Sequence, residues 1–169
     1  MSTRVIGTLA IAVSVAAAAY AMNVTTDYDH TAQFGMYKTY AWTTGSPSPV
    51  SLTEQRIHAG VDQQLQAKGL VLAQDAPNLY VATHVVTQNV PEVIANGFGP
   101  WWGGGLGSAT VQTAYVQGTL IVDLYDASSR KMVWRGVATD SLSGKPSKNA
   151  DKIQKALAKM FERYPPSFN

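Results

Sequence analysis

The stretch that decides the fold is residues 118–138, GTLIVDLYDASSRKMVWRGVA, in which two apolar, β-rich runs flank a short polar turn. This pattern predicts a β-hairpin. In the first run, Leu120, Val122 and Leu124 alternate with the intervening residues, and successive strand residues point to opposite faces. The first arm therefore has one wholly apolar face, which we expect to form part of the core.

The length of the turn decides which residues of the second arm join that face. A five-residue turn places Trp134 beside Leu124, and it sets Asp123 opposite Arg135. A four-residue turn pairs Leu124 with Val133 instead and turns Arg135 toward the apolar face, where an unpartnered guanidinium is costly. We therefore predict the five-residue turn, with a buried Trp134 and an outward-facing ion pair.

The composition favours one domain with a packed core. The chain has 169 residues, of which 46% are hydrophobic and 14% are charged. Its formal charge of +2 falls to +1, 12 basic minus 11 acidic residues, if residues 1–21 with Arg4 as their only charge are removed. So small a charge predicts no nucleic-acid partner. The absence of cysteine excludes disulfides, thiolate metal sites and a lipidated N-terminal cysteine.

Residues 1–21 have the layout of a signal peptide. Arg4 precedes an uncharged apolar run over residues 5–19, and Ala19 and Ala21 form a small-x-small cleavage site. A transmembrane anchor is the competing interpretation, but the run is shorter than the roughly 20 residues that span a bilayer. We predict cleavage after Ala21, a periplasmic or cell-envelope location, and no transmembrane span or lipid anchor in the mature chain.

The rest of the chain predicts further strands and two helices. Ser51 and Glu54 form a capping box before the first helix, over residues 52–68, and Gly69 suits its C-terminal cap. Ser147 is expected to cap a last helix that ends before Pro165. Further strands are expected at residues 24–28, 37–42, 70–72 and 79–90. Together these elements predict an α+β fold, a mainly antiparallel sheet of about five strands with two helices packed on one face.

Few residues are candidates for chemistry. Glu54, His58 and Asp62 follow one another at four-residue spacing on the first helix, but a single imidazole without a His-Glu-x-x-His spacing favours a polar flank directed away from the core. His84 lies within a strand, and no catalytic partner for it is evident from the sequence. We predict no metal site, no cofactor and no catalytic residue.

Residues 91–108, PEVIANGFGPWWGGGLGS, are the unusual segment. Their glycines and prolines predict a loop, and loops longer than about 15 residues are commonly functional or disordered. Phe98, Trp101 and Trp102 are therefore candidate binding residues. The alternative, that the two tryptophans fold back to cover the sheet, is equally compatible with the sequence.

Several stretches together carry a family resemblance. They are DYDHTAQFGMYKTYAW at residues 27–42, QAKGL at 66–70, NLYVATHV at 78–85, the hairpin, and RYPP at 163–166. With them the chain resembles the bacterial envelope family catalogued as domain of unknown function 4136, over essentially all of residues 22–169. The resemblance implies an exported protein, in many members a lipoprotein, and it implies no activity for any residue here. The missing lipobox cysteine favours a free periplasmic protein.

These observations predict an exported envelope protein with a single domain over residues 22–169. We expect a non-enzymatic binding or structural module whose partner is another envelope protein or envelope component. The alternative is a hydrolase that uses His84 or His58 with nearby carboxylates. The two differ in geometry, because catalysis needs polar groups that converge on a titrating histidine in a cleft.

Overall fold

The structure is a computed structural model that describes residues 21–95 and 109–166. In chain order, the elements are β1 (Asn23–Tyr28), β2 (Thr39–Trp42), α1 (Ser51–Ala67), β3 (Val71–Leu72), β4 (Leu79–Ala95), β5 (Ala109–Asp126), β6 (Met132–Ser141) and α2 (Pro146–Phe161). A short 3-10 turn over Phe34–Met36 lies between β1 and β2. The α+β class predicted from the sequence is confirmed.

The strands form one six-stranded sheet in the order β1-β6-β5-β4-β2-β3. The first four strands in this order pair antiparallel, whereas β2 pairs in parallel with both β4 and β3. The expectation of a mainly antiparallel sheet of about five strands is therefore wrong, since the sheet is mixed and has six strands. The physical reason is α1, which acts as a crossover between β2 and β3 and returns the chain in the same direction.

The core lies between one face of the sheet and both helices. Leu120, Val122 and Leu124 contribute to it from β5, as their alternation predicts. The apolar stripes of the helices supply the other side, namely Ile57, Val61 and Leu65 from α1 and Ala156, Leu157, Met160 and Phe161 from α2. A Cβ at Gly60 would lie 2.5 Å from a methyl of Leu157, so the glycine permits close approach of the two helices.

The helix starts differ from the predicted caps. Ser51 and Ser147 were expected as N-caps, but the cap positions are occupied by Val50 and Lys145, and neither helix has a side-chain cap. In α2 the reason is Pro146, whose fixed φ and missing N–H suit the first helical position and move the start toward the N-terminus.

Two other predictions for α1, the role of Glu54 at its start and of Gly69 after its end, agree more closely with the structure. Glu54 does reach back across the first turn, but its carboxylate accepts the backbone N–H of Ser48 at 2.7 Å rather than that of Ser51. Gly69 has a φ of 85°, which is the left-handed conformation predicted for it after the helix.

The hairpin has the predicted register. Leu124 lies opposite Trp134, and Asp123 lies opposite Arg135. Toward the turn the register shifts by one residue, because Val133 is an additional residue in β6. The turn itself is held by Asp126, whose carboxylate accepts hydrogen bonds from the hydroxyl groups of Ser128 and Ser129 and the Ser129 N–H. These hydrogen bonds hold the pKa of Asp126 well below its usual range.

Candidate functional site

The longest strands extend beyond the rest of the sheet. β6 pairs with β5 from Gln117 to Tyr125, whereas β4 pairs with β5 all the way to Ala109. We call residues 86–95 of β4 and their partners in β5, residues 109–119, the ribbon. The eight residues of β5 that precede Gln117, residues 109–116, extend about 25 Å at roughly 3.3 Å per residue. Among residues 21–95 and 109–166, no third strand pairs with residues 109–116.

The ribbon corrects part of the predicted loop. Residues 91–95 were expected to be irregular, but they continue β4 and pair with residues 109–113. The register shifts between Val90 and Pro91, and such a bulge accommodates a proline that cannot donate to the ladder. Ala95 and Ala109 lie opposite each other. The candidate binding residues Phe98, Trp101 and Trp102 lie outside the described residues.

The ribbon has an unusual composition. Glu92 is the only charged residue in the sequence from Val85 to Gly118. Val86 and Val116 are 42% and 36% exposed. Exposed strand edges in soluble proteins commonly carry lysines or other charges that prevent pairing with another chain. The ribbon lacks this protection over most of its length.

A buried carboxylate lies on the face of the sheet opposite the helices. Asp123 is fully buried, and Arg135 holds its two oxygens at 2.6 and 2.7 Å. The hydroxyl of Tyr125 donates to the same carboxylate at 3.3 Å. Asp123 and Arg135 do face away from the core, but the predicted outward pair is corrected in one respect, because neighbouring side chains on this central strand enclose the carboxylate.

This carboxylate influences the groups around it. Its hydrogen bond with Arg135 raises the pKa of the guanidinium. Burial, together with the negative charge of Asp123, raises the pKa of Tyr125. The Arg135 guanidinium and the Tyr125 hydroxyl therefore remain protonated at neutral pH, so both can donate hydrogen bonds to the Asp123 carboxylate.

His84 belongs to the same network. Its Nδ1 accepts the backbone N–H of Ser46 at 3.1 Å, so the proton of the neutral ring is on Nε2. Nε2 faces an oxygen of Asp123 at 3.5 Å. Since both ring nitrogens have partners within the protein, neither is available to take a proton from a substrate. A Ser-His-Asp triad would instead have a serine hydroxyl at the second nitrogen.

The polar flank of α1 also contacts the sheet. The sequence predicts that it points away from the core, and the structure corrects this. The carboxylate of Asp62 accepts hydrogen bonds from Tyr40 at 2.7 Å and from Trp42 at 3.0 Å. Trp42 also stacks on His58, with the ring planes 1° apart and the centroids 3.8 Å apart. Burial and the Asp62 carboxylate raise the pKa of Tyr40.

His58 is the second histidine of the predicted hydrolase alternative. Its Nε2 lies 2.9 Å from Glu54, and 42% of its side chain is exposed. One face of the ring is covered by Trp42, and the carboxylate of Glu54 also accepts the Ser48 N–H. The pair therefore ties α1 to the preceding loop and to β2.

Two kinds of functional feature, a cluster of metal ligands and a membrane-spanning helix, are absent from the described residues. Within residues 21–95 and 109–166, no group of three or more potential ligands is arranged to hold a metal ion. In the same part of the chain, no helix has the length and apolar character needed to cross a bilayer.

Sequence reasoning missed two polar clusters. The enclosure of Asp123 by His84 and Tyr125 depends on the pairing of β4 with β5, which the sequence pattern does not specify. The contact of Asp62 with Tyr40 and Trp42 had a weak signal, because two aromatic residues with polar groups share one face of β2 and require acceptors when buried.

The fold and these contacts define an α+β domain in which two helices cover one face of a mixed sheet. The chain belongs to the family described as Domain of unknown function (DUF4136), whose model matches residues 24–166. The resemblance to domain of unknown function 4136 is thereby confirmed. No curated protein matches this sequence.

The chain is similar in fold to a protein of solved structure. A PDZ domain protein from Parabacteroides distasonis has 15% sequence identity and a TM-score of 0.60, and the match covers 88% of this chain. This chain spans only 37% of that protein, so the likeness shows the fold alone.

Two further matches are weaker. The PelC dodecamer from Paraburkholderia phytofirmans has 14% identity and a TM-score of 0.48, covering 83% of this chain and 98% of that one. A Xanthomonas campestris protein matched by the DUF330 family model has 14% identity and a TM-score of 0.38, covering 74% and 79%.

Proposed function

We propose that this chain is an exported protein of the bacterial cell envelope that acts by binding another envelope protein or envelope component. Export is supported by residues 1–21, with Arg4, the apolar run and the small residues Ala19 and Ala21. A role in binding is favoured over hydrolysis because both nitrogens of His84 have protein partners. Catalysis through His58 is disfavoured because its pair with Glu54 is part of the packing of α1.

The observation that carries the proposal is the ribbon, in which Glu92 is the single charged residue. A two-stranded antiparallel ribbon is marginally stable by itself in water, so an extended one gains from a further partner. Its backbone edges are suited to pairing with an extended segment of another protein, and its exposed valines provide apolar contact. Phe98, Trp101 and Trp102 follow β4 in the sequence and are proposed to add aromatic contacts to the same partner.

Charges on the ribbon should abolish partner capture. We expect Val86→Lys combined with Val116→Lys to lose the protein that the native chain captures from envelope extract, because lysines on a strand prevent edge pairing. The control is Val71→Lys on β3, an edge strand of the sheet that is not part of the ribbon, where the valine is 62% exposed. Equal capture by the ribbon variant and the control would contradict the proposal.

The aromatic residues are tested in the same assay. Trp101→Ala with Trp102→Ala should lose capture and leave the melting temperature nearly unchanged, because a binding loop contributes little packing. If the tryptophans cover the sheet instead, the variant should melt several degrees earlier, at about 2 to 4 °C per kcal/mol, and should still capture the partner.

Export has its own expected outcome. Mass spectrometry of the protein recovered from the periplasm of an expressing bacterium should give Met22 as the N-terminal residue, because Ala19 and Ala21 fit the small pockets of a signal peptidase. Recovery of a chain with Met1 from the membrane fraction would exclude cleavage at this site.

A further inference from the structure

A cavity of about 220 Å³ lies between the two helices and the sheet, at the end where both helices begin. Its floor includes the buried apolar side chains of Ile57, Leu120 and Ala156. Its rim includes Val50 and Leu142, which are 57% and 41% exposed. The cavity therefore has a buried apolar floor and an exposed apolar mouth.

The size and lining of the cavity select a slim apolar ligand. It is larger than the roughly 150 Å³ cavity that accommodates benzene, and smaller than the roughly 300–1,000 Å³ typical of sites for bulkier molecules. Polar groups at its edge are already engaged. Asn149 forms hydrogen bonds with both backbone groups of Ser143. Lys152 Nζ lies 2.7 Å from the carbonyl of Ser141 and 3.1 Å from Asp140. An alkyl chain suits such a site better than a polar ligand does.

Two lysines lie at the start of α2, next in sequence to residues that line the cavity. Lys145 and Lys148 are exposed and lie within one helical turn of Asn149, which lines the cavity. Lys152 and Asp140, the charged residues that line the cavity, pair with each other at 3.1 Å, so Lys145 and Lys148 supply the remaining positive charge beside it. A cluster of one sign raises the local concentration of ligands of the opposite sign. The mouth is therefore suited to an anionic head group.

We propose that this cavity binds a fatty acid, with the aliphatic chain on the apolar floor and the carboxylate beside Lys145 and Lys148. This inference does not depend on the partner proposed for the ribbon. It rests on the volume and lining of the cavity and on the lysines of α2, whereas the ribbon proposal rests on backbone edges. A lysophospholipid and the apolar residues 5–19 of this chain, which precede the cavity-lining Met22, are the competing occupants.

Titration calorimetry with dodecanoate, using the exported protein, tests the site. We expect saturable one-to-one binding that Thr87→Phe and Ala156→Leu each weaken by about tenfold or more, corresponding to about 1.4 kcal/mol. Ala156 is buried, so its variant also reports on folding; Thr87 is exposed at the cavity and accepts an aromatic residue in a strand. Absence of saturable binding, or binding unchanged in a folded Thr87→Phe variant, would overturn the proposal.

The head group is tested with a charge-matched pair of variants. Lys145→Gln with Lys148→Gln should weaken dodecanoate binding by about threefold at low salt, as expected for an exposed ion pair, and should leave dodecanol binding unchanged. Lys131→Gln with Lys159→Gln removes the same charge away from the cavity and should change neither. Equal effects of the two pairs would refute a carboxylate at this mouth.

Two further titrations distinguish the competing occupants. Lysophosphatidylglycerol should bind more weakly than dodecanoate, and the reverse order would assign the site to a lysophospholipid instead. The full chain with residues 1–21 retained should bind dodecanoate as the exported protein does. Loss of binding in the full chain alone would identify its own apolar segment as the occupant and overturn the proposal.

Discussion

Replacing Trp134 with alanine should lower the free energy of unfolding by about 3 to 5 kcal/mol, the range for deleting a large buried aromatic side chain. Trp134 is fully buried, and its ring lies 5.1 Å from Phe161 and 5.6 Å from Tyr164, centroid to centroid. It thus joins the hairpin to the end of α2. Thermal or denaturant unfolding of the purified variant measures the loss, and a melting temperature lower by about 10 °C is expected.

Trp134→Phe is the matched control. The indole Nε1 is buried without a hydrogen-bond partner among the described residues, so removing it costs no hydrogen bond. A Cβ at Gly136 would lie 2.6 Å from the indole, which shows how closely the ring fits its site. We expect the phenylalanine variant to lose less than half as much stability as the alanine variant. A change within about 0.5 kcal/mol for Trp134→Ala would contradict the buried position.

Replacing Arg135 with methionine should lower the free energy of unfolding by about 2 to 4 kcal/mol. The substitution leaves the carboxylate of Asp123 buried without its main counter-ion, and loss of one partner of a buried pair is strongly destabilising. The estimate is below that for a fully buried pair, because 40% of the Arg135 side chain is exposed and water screens part of the interaction.

The double variant Asp123→Asn with Arg135→Met provides the control. It removes both charges and keeps the shape of the residue at position 123. We expect it to be more stable than Arg135→Met alone, because no unpaired charge remains in the sheet. If the double variant were the less stable of the two, the cost would come from lost packing of the arginine side chain instead of the buried charge.

The two proposed binding regions lie at the same end of the sheet. Thr87 and Gly118 line the cavity and also pair with each other where the ribbon leaves the sheet. The ribbon is proposed to use backbone edges and uncharged side chains, whereas the cavity is proposed to use an apolar interior and lysines. Their salt dependences should therefore differ, with only fatty-acid binding weakened by salt.

The local pattern of apolar and polar residues was sufficient to predict much of the fold. Alternation in residues 118–138 predicted the hairpin, and the cost of placing Arg135 on the apolar face predicted its register. Four-residue spacing of apolar residues is typical of the core-facing stripe of a helix, and Ile57, Val61 and Leu65 of α1 have this spacing and are buried. These features follow from the period of a strand or a helix and from the cost of burying a charge. Both can be evaluated from the residues of a short segment alone.

The sequence by itself therefore determined the class of the fold, the core face of β5, the apolar stripe of α1 and the pairing of Leu124 with Trp134. Only the tertiary structure decided the parallel pairing of β2, the enclosure of Asp123 and the extension of β4 past Pro91. The physical reason is that these three depend on contacts between elements distant in sequence. A strand's residues specify which face is apolar, but neighbouring strands decide which side chains surround a given carboxylate and how far pairing continues.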